Sequence, residues 1–267
     1  MSEIIIKGLD FDYGEEAIFK NFNLQLDGRS TAIIGQNGAG KTTLMKLLNG
    51  LLKPTAGEIL INGEANGDKE VTELARIVGY VFQNPNDQIF KSRVLDEVMY
   101  GALNLGKSIA EAEKSAREAL SDFGLEAQAD ENPYDLSLSE RKQISVASIL
   151  AMDTEIIIFD EPTIGQDFQG KAQLKAVIQA LREKGKTVIS ILHDMDFVAE
   201  VFERVIVLKD GQILADGSAR DVFAQASVLA SAGLELPHIA ALSQALKQPE
   251  LALTVSEFLK QTKKSNP

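Results

Sequence analysis

A chain of 267 residues, 45% hydrophobic and 25% charged, has an ordinary globular composition and room for one large domain or a domain with an appendage. Its net charge of −12 argues against a nucleic-acid binder, which presents a basic face. No apolar run approaches the roughly eighteen residues of a membrane-spanning helix. Met1-Ser2-Glu3 lacks the basic start of a secretion signal, and the absence of cysteine rules out disulfides and thiolate chemistry.

Residues 3–6 and 22–26 read as short strands. Between them, Tyr13 precedes a turn at Gly14, where its ring either offers a flat face to a base or packs at a strand end. The apolar run Thr31-Ala32-Ile33-Ile34 predicts a buried strand, and Thr43 to Leu48 the start of a helix. Between them Gly35-Gln36-Asn37-Gly38-Ala39-Gly40-Lys41-Thr42 fits G-x-x-x-x-G-K-[ST], and strand, glycine loop and helix are the context of a phosphate cradle. The glycines bring backbone N–H groups close to an anion, and the helix N-terminus adds unpaired donors. The candidate nucleotide-binding residues are therefore Gly35, Asn37, Gly38, Ala39, Gly40, Lys41, Thr42 and Thr43. Lys41 would reach the β- and γ-phosphates, and the Thr42 hydroxyl would meet Mg²⁺.

Pro54 and Gly57 stop the helix, and Glu58 to Ile61 returns as a strand. Ile77 to Phe82 predicts another buried strand ending at Gln83, an amide suited to Mg²⁺ or to an attacking water. Residues 84–154 change to helical spacing. Ser108 and Glu111 form a capping-box pattern ahead of one helix, Gly124 stops it, and a second helix covers roughly 138–152.

Ile156-Ile157-Ile158-Phe159 is the strongest apolar run, as in a parallel strand buried on both faces, and Asp160-Glu161 stand at its exit. Asp160 suits the Mg²⁺ shell; Glu161 suits polarising a water, and a positioned general base contributes roughly 10²–10⁴-fold. The bland alternative is a pair of acids capping the next helix, expected from Lys171 to Glu183. Thr187 to Leu192 is the next buried strand and ends at His193, placed to hydrogen-bond a γ-phosphate and orient Glu161. Asp210-Gly211 predicts a hairpin turn between 205–208 and 213–215. The last ~45 residues read as a small helical appendage ending in a loose polar terminus from Lys263 to Pro267.

Taken together, the chain resembles an ATP-binding cassette (ABC) ATPase over nearly its whole length. Gln83, Asp160-Glu161-Pro162-Thr163 and His193 match that family's Q-loop, Walker B and switch-histidine motifs in order. Tyr13 matches the adenine-stacking aromatic, and Ile164-Gly165-Gln166-Asp167 the D-loop. A narrower resemblance is to the ATPases of energy-coupling factor (ECF) importers of vitamins and metal ions. It rests on residues 81–90, 160–167 and the tail around Ala232-Gly233-Leu234-Glu235-Leu236-Pro237.

The resemblance implies an α/β P-loop (RecA-like) core with an antiparallel β subdomain, a helical insertion at about 84–154, and a C-terminal helical appendage. Residues 1–220 would form the nucleotide-binding domain and 221–267 a dimerisation appendage. It implies ATP and Mg²⁺ as ligands and catalytic roles for Glu161, His193 and Gln83. Metal contacts would come from Thr42, Gln83 and Asp160, and further nucleotide contacts from Tyr13, Ser137, Ser139 and Asp167. It also implies a sandwich dimer with a second ABC ATPase, a membrane T component docked beside Gln83, a substrate-choosing S component, no nucleic acid, and a place on the cytoplasmic face of the membrane. Two other classes compete: a soluble ABC ATPase acting on nucleic acid or ribosomes, and a nucleotide-gated dimerisation module with little turnover.

One departure stands out. The family signature Leu-Ser-Gly-Gly-Gln is Leu136-Ser137-Leu138-Ser139-Glu140 here. Ser137 and Glu140 make a capping box, so the helix itself should form. The side chains of Leu138 and Ser139 hold the backbone away from phosphate, however, and Glu140 adds a like charge. Two such charges about 4 Å apart cost about 4 kcal/mol at an effective dielectric of 20. A weakened signature is expected, and with it a heterodimer in preference to a homodimer.

Overall fold

The computed structural model describes residues 2–248 and 250–265. Among the described residues ten strands run in chain order: β1 (Ile4–Tyr13), β2 (Glu16–Leu26), β3 (Thr31–Ile34), β4 (Ala56–Ile61), β5 (Glu64–Ala65), β6 (Val78–Val81), β7 (Ile156–Asp160), β8 (Thr187–Ile191), β9 (Arg204–Lys209) and β10 (Gln212–Ser218). They form an antiparallel sheet of order β2-β1-β4-β5 and a second sheet of order β10-β9-β3-β8-β7-β6. In the second sheet only the β9–β10 pairing is antiparallel.

The α/β architecture follows from hydrophobic patterning. β3, β6, β7 and β8 are buried at every residue, as strands covered on both faces must be. One face of this sheet joins the antiparallel sheet and the helix Lys41–Leu48 in a core that holds Ile33, Met45, Ile158 and Ile189. The other face packs under the helices Val94–Asn104, Ile109–Ser121, Leu138–Met152 and Phe168–Glu183. Burying each large aliphatic side chain in these cores contributes about 1.5–3 kcal/mol.

Asp210 and Gly211, with φ 47° and 69°, close the expected hairpin between Lys209 and Gln212. The capping box at Ser108 forms, and Gly124 takes φ 68° just past the helix. Three readings need correction. The strand read at residues 3–6 runs on as β1 to Tyr13, because register shifts after Ile6 break the alternation that marks a strand. The helix expected from Lys171 begins at Phe168, because Asp167 caps it by accepting from Gly170 N at 2.7 Å. The terminus expected to be loose continues as a helix, Val255–Ser265; Asn266 and Pro267 lie outside the described residues.

After residue 220 the chain forms the short helices Ala226–Ser231 and His238–Ala245, then Val255–Ser265. No helix among the described residues is long and apolar enough to cross a membrane.

Candidate functional site

The parallel sheet delivers the chemistry to one edge. β3, β6, β7 and β8 run in the same direction, so their carboxyl ends place Gly35, Gln83, Asp160-Glu161 and His193 side by side. A cleft of about 400 Å³ opens there, lined by Glu16, Ile18, Asn37, Gly38, Gly40, Lys41, Thr42, Thr43, Gln83 and Glu161.

The loop after β3 wraps the Lys41 ammonium. Nζ donates to the Gly35 carbonyl at 2.6 Å and to the Gln36 carbonyl at 2.8 Å, and the side chain is nearly buried. Burial pushes the Lys41 pKa down, against the pull of Glu161 and Asp160. Gly40 caps the helix Lys41–Leu48 in the left-handed conformation, φ 98°, so the first turn presents free N–H groups to the cleft. Tyr13, half exposed, stands edge-on to Phe11, with its hydroxyl 3.5 Å from Thr43 Oγ1.

At the end of β7 the two acids part ways. Asp160 is buried; its Oδ2 accepts from Tyr80 Oη at 2.7 Å, while Oδ1 is buried without a partner. Desolvation pushes the Asp160 pKa up, with Glu161 adding to the rise and the Tyr80 hydrogen bond opposing it. Burial and the same carboxylate push the Tyr80 phenol up. Glu161 adopts φ 49°, unusual for a residue with a Cβ, while its N–H donates to Ile191 O at 3.1 Å. Such strain costs about 1–3 kcal/mol and persists where the surroundings over-determine it. It turns the carboxylate toward the cleft, where Gln83 Nε2 donates to Oε2 at 2.9 Å and His193 Nε2 lies 3.1 Å from Oε1.

The cleft is therefore a phosphate-loop pocket with an acid held at its wall. Sequence comparison decides the family: the model described as ABC transporter matches residues 19–164. The chain belongs to the ABC transporter family. This ABC ATPase is 39% identical over 248 residues to the energy-coupling factor transporter ATP-binding protein EcfA of Methanocaldococcus jannaschii, covering 91% of this chain and 89% of the relative. It is 41% identical over 221 residues to a putative ABC transporter ATP-binding protein of Pyrococcus furiosus, covering 82% and 85%. Among solved structures it resembles CbiO1 of Clostridium perfringens, described as part of the ABC transporter complex CbiONQ, with a TM-score of 0.76, 32% identity and coverage of 90% and 98%. It also resembles an ATP-binding cassette solved as a dimer in a post-hydrolysis state with ADP and Pi, with a TM-score of 0.74, 30% identity and coverage of 81% and 99%.

Ser137, Ser139 and Asp167, expected to meet a nucleotide across a dimer, lie outside this chain's own cleft, and Tyr13, Gly35 and Ala39 are not among its lining residues either. Ser137 caps the helix Leu138–Met152 in a complete capping box: its hydroxyl and its N–H both donate to Glu140 Oε2, at 2.6 and 2.9 Å. Ser139 Oγ donates to Gln166 Oε1 at 3.2 Å, and Gln166 Nε2 donates back to Ser139 O at 3.1 Å. Leu138 is half exposed.

Several contacts here could not be read from the sequence. Glu16 and Ile18 reach the cleft because β2 doubles back beside the phosphate loop. Tyr80 meets Asp160 because β6 and β7 pair; its place two residues before Phe82 in an apolar run was the available clue. Lys142, in the helix Leu138–Met152, is buried and donates from Nζ to Phe82 O at 3.1 Å and to Gln83 O. Burial pushes its ammonium down to about 8, against the pull of Asp160 and Glu161. Gly233, with φ +61°, lies against the phosphate loop from outside: a Cβ there would stand 1.6 Å from Gln36 Nε2. Lys209 Nζ ties the same segment down through Ser231 O at 2.8 Å.

Proposed function

We propose that this chain is the ATP-hydrolysing subunit of an ECF-type importer of a vitamin or a metal ion, working with a second ABC ATPase, a membrane T component and a substrate-binding S component. The observation that carries the hydrolytic part is Glu161, held between Gln83 and His193 at the wall of the phosphate-loop cleft. The ECF part is supported by the likeness to EcfA and CbiO1 over about nine-tenths of the chain.

In this reading the phosphates of ATP take the place of the Gly35 and Gln36 carbonyls as partners of Lys41, and the backbone N–H groups of Asn37 to Thr43 surround them. A divalent cation fits beside them. The unpartnered Asp160 Oδ1 and the Thr42 hydroxyl are hard oxygen donors, and the side-chain Oε1 of Gln83 is available as its Nε2 serves Glu161. No group of three or more His, Asp or Glu among the described residues holds a metal by itself, so phosphate oxygens would complete the shell. When bound, Mg²⁺ neutralises charge on the phosphates. Glu161 accepts a proton from water in line with the γ-phosphate, and His193 holds the carboxylate against rotation.

The signature supports an asymmetric dimer. Both serine hydroxyls donate within the chain, and the Glu140 N–H donates to the Ser137 hydroxyl, so few donors remain for a partner's nucleotide. This chain's cleft would then pair with an intact signature from the second ATPase, while its own signature faces a weaker site. The appendage after residue 220 would help hold the two ATPases together.

Purification of the full chain with its native partners tests the assignment. Recovery of a second ABC ATPase and an integral membrane protein supports it; recovery of neither counts against it. Glu161→Gln here and the corresponding change in the partner ATPase, made separately, test the asymmetry. The first should abolish most phosphate release and the second little; equal losses would contradict the unequal sites. Negligible release by the assembled wild-type complex would favour a nucleotide-gated dimerisation module.

A further inference from the structure

Lys142 is only 2% exposed, a rare degree of enclosure for an ammonium. A charge is kept out of water only where partners replace its hydration, and a methionine of similar reach would fill the same space without that demand. The partners of Lys142 are two consecutive main-chain carbonyls, those of Phe82 and Gln83. The segment is fastened to the same helix twice more. Arg141 donates to Asn86 Oδ1 at 3.0 Å. Gln88 donates to Ser145 O at 2.8 Å and Ser148 Oγ at 2.9 Å, while its own Oε1 takes the Phe82 N–H at 3.1 Å.

Holding the Gln83 carbonyl fixes the origin of the Gln83 side chain, whose amide is the one that reaches Glu161. We infer that Lys142 is a positioning residue for hydrolysis: it locks the Phe82-Gln83 main chain to the helix Leu138–Met152, and so aims the Gln83 amide at the Glu161 carboxylate. The inference rests on the hydrolytic reading of Glu161. Its consequence is a link between two sites. The N-terminus of that helix is Ser137-Leu138-Ser139-Glu140, the segment that faces the partner's nucleotide in the proposed dimer. A movement imposed there is carried by Lys142 to Gln83, in this chain's own cleft.

The experiment is a double-mutant cycle on the full chain purified with its partner subunits. Steady-state phosphate release gives kcat and KM, and equilibrium binding of a non-hydrolysed ATP analogue with Mg²⁺ gives affinity. Lys142→Met is expected to lower kcat about 10- to 100-fold, the size of a small misplacement of a catalytic group. KM and analogue affinity should change less than about threefold. Lys142→Arg, which keeps a cation with donors, should recover most of the loss. In the double variant with Gln83→Ala, the loss should match that of Gln83→Ala alone, because both act through one contact. Multiplying losses, or an unchanged kcat in Lys142→Met, would overturn the inference while leaving the hydrolytic reading intact. An unchanged kcat in both Glu161→Gln and Gln83→Ala would overturn the hydrolytic reading and the inference with it. If Lys142→Met does not accumulate as folded protein, Lys142→Gln decides the same cycle.

Discussion

His193 Nε2 stands 3.1 Å from Oε1 of Glu161, and the Gln83 amide donates to the other oxygen of the same carboxylate at 2.9 Å. The acid is held from two sides by strand ends that do not adjoin, since β7 lies between β6 and β8. Glu161→Gln keeps the shape and removes the base. Phosphate release should fall by about 10²–10⁴-fold while nucleotide affinity is retained. His193→Ala leaves Gln83 as the remaining tether and should lose less. Single-turnover phosphate release alongside ATP-analogue binding measures both.

Lys41 already has two carbonyl partners in a nearly buried position. Its removal leaves the Gly35 and Gln36 carbonyls without their donor and strips the cleft of its cation. Lys41→Ala should weaken Mg-ATP binding by at least about tenfold, more than the loss of a surface charge would. Fluorescent-nucleotide titration measures this. The variant should remain folded, because the rest of the loop is held by β3 and the helix after it.

Away from the cleft, Arg204 joins β9 to β10. Its Nε and Nη2 donate to the Asp216 carboxylate at 2.7 and 2.6 Å, and Nη1 donates to Gln25 O at 2.8 Å. The Arg204 side chain is 9% exposed and that of Asp216 31%. Asp216→Ala removes the bidentate partner of a buried guanidinium and leaves it Gln25 O and, at 4.0 Å, Asp27. Partial exposure of the acid reduces the cost below that of a fully enclosed pair, to about 2–3 kcal/mol. Urea unfolding of the variant should show the drop with nucleotide binding preserved.

His238 pairs through Nδ1 with Asp196, which also takes the His238 N–H at 2.8 Å. The hydrogen bond to Asp196 holds the imidazole pKa above its usual value, with Glu235 and Asp194 adding to the rise. A raised folded-state value means that the pair's contribution to stability is complete below the unfolded pKa of about 6.5 and disappears as pH rises through the folded value. Two histidines make the assignment simple. An NMR titration should place the His238 midpoint above that of an unfolded peptide, and Asp196→Asn should bring it down.

The parts of the fold and cleft legible in the sequence were those whose information is local. Thr31 to Thr42 spells strand, loop and helix in twelve consecutive letters, and β7 announces itself as an unbroken apolar run before two acids. Ser137 and Glu140, three residues apart, likewise gave the capped helix. What stayed hidden depends on elements meeting across the sequence. Tyr80 reaches Asp160 over 80 positions, Lys142 reaches Phe82 over 60, and Gln166 reaches Ser139 over 27. None of these partners has a spacing rule, because strand order and helix docking create the contact. The extent of β1 beyond residue 6 was hidden for a different reason: an irregular register removes the alternation that a strand normally displays.

Gly233, at φ +61°, sits against the exposed side chain of Gln36 in the phosphate loop. A Cβ at 233 would overlap Gln36 Nε2, so any bulkier residue there asks that amide to swing aside. The seam between tail and loop is closed by a movable side chain, which can yield to the tail without displacing the loop main chain.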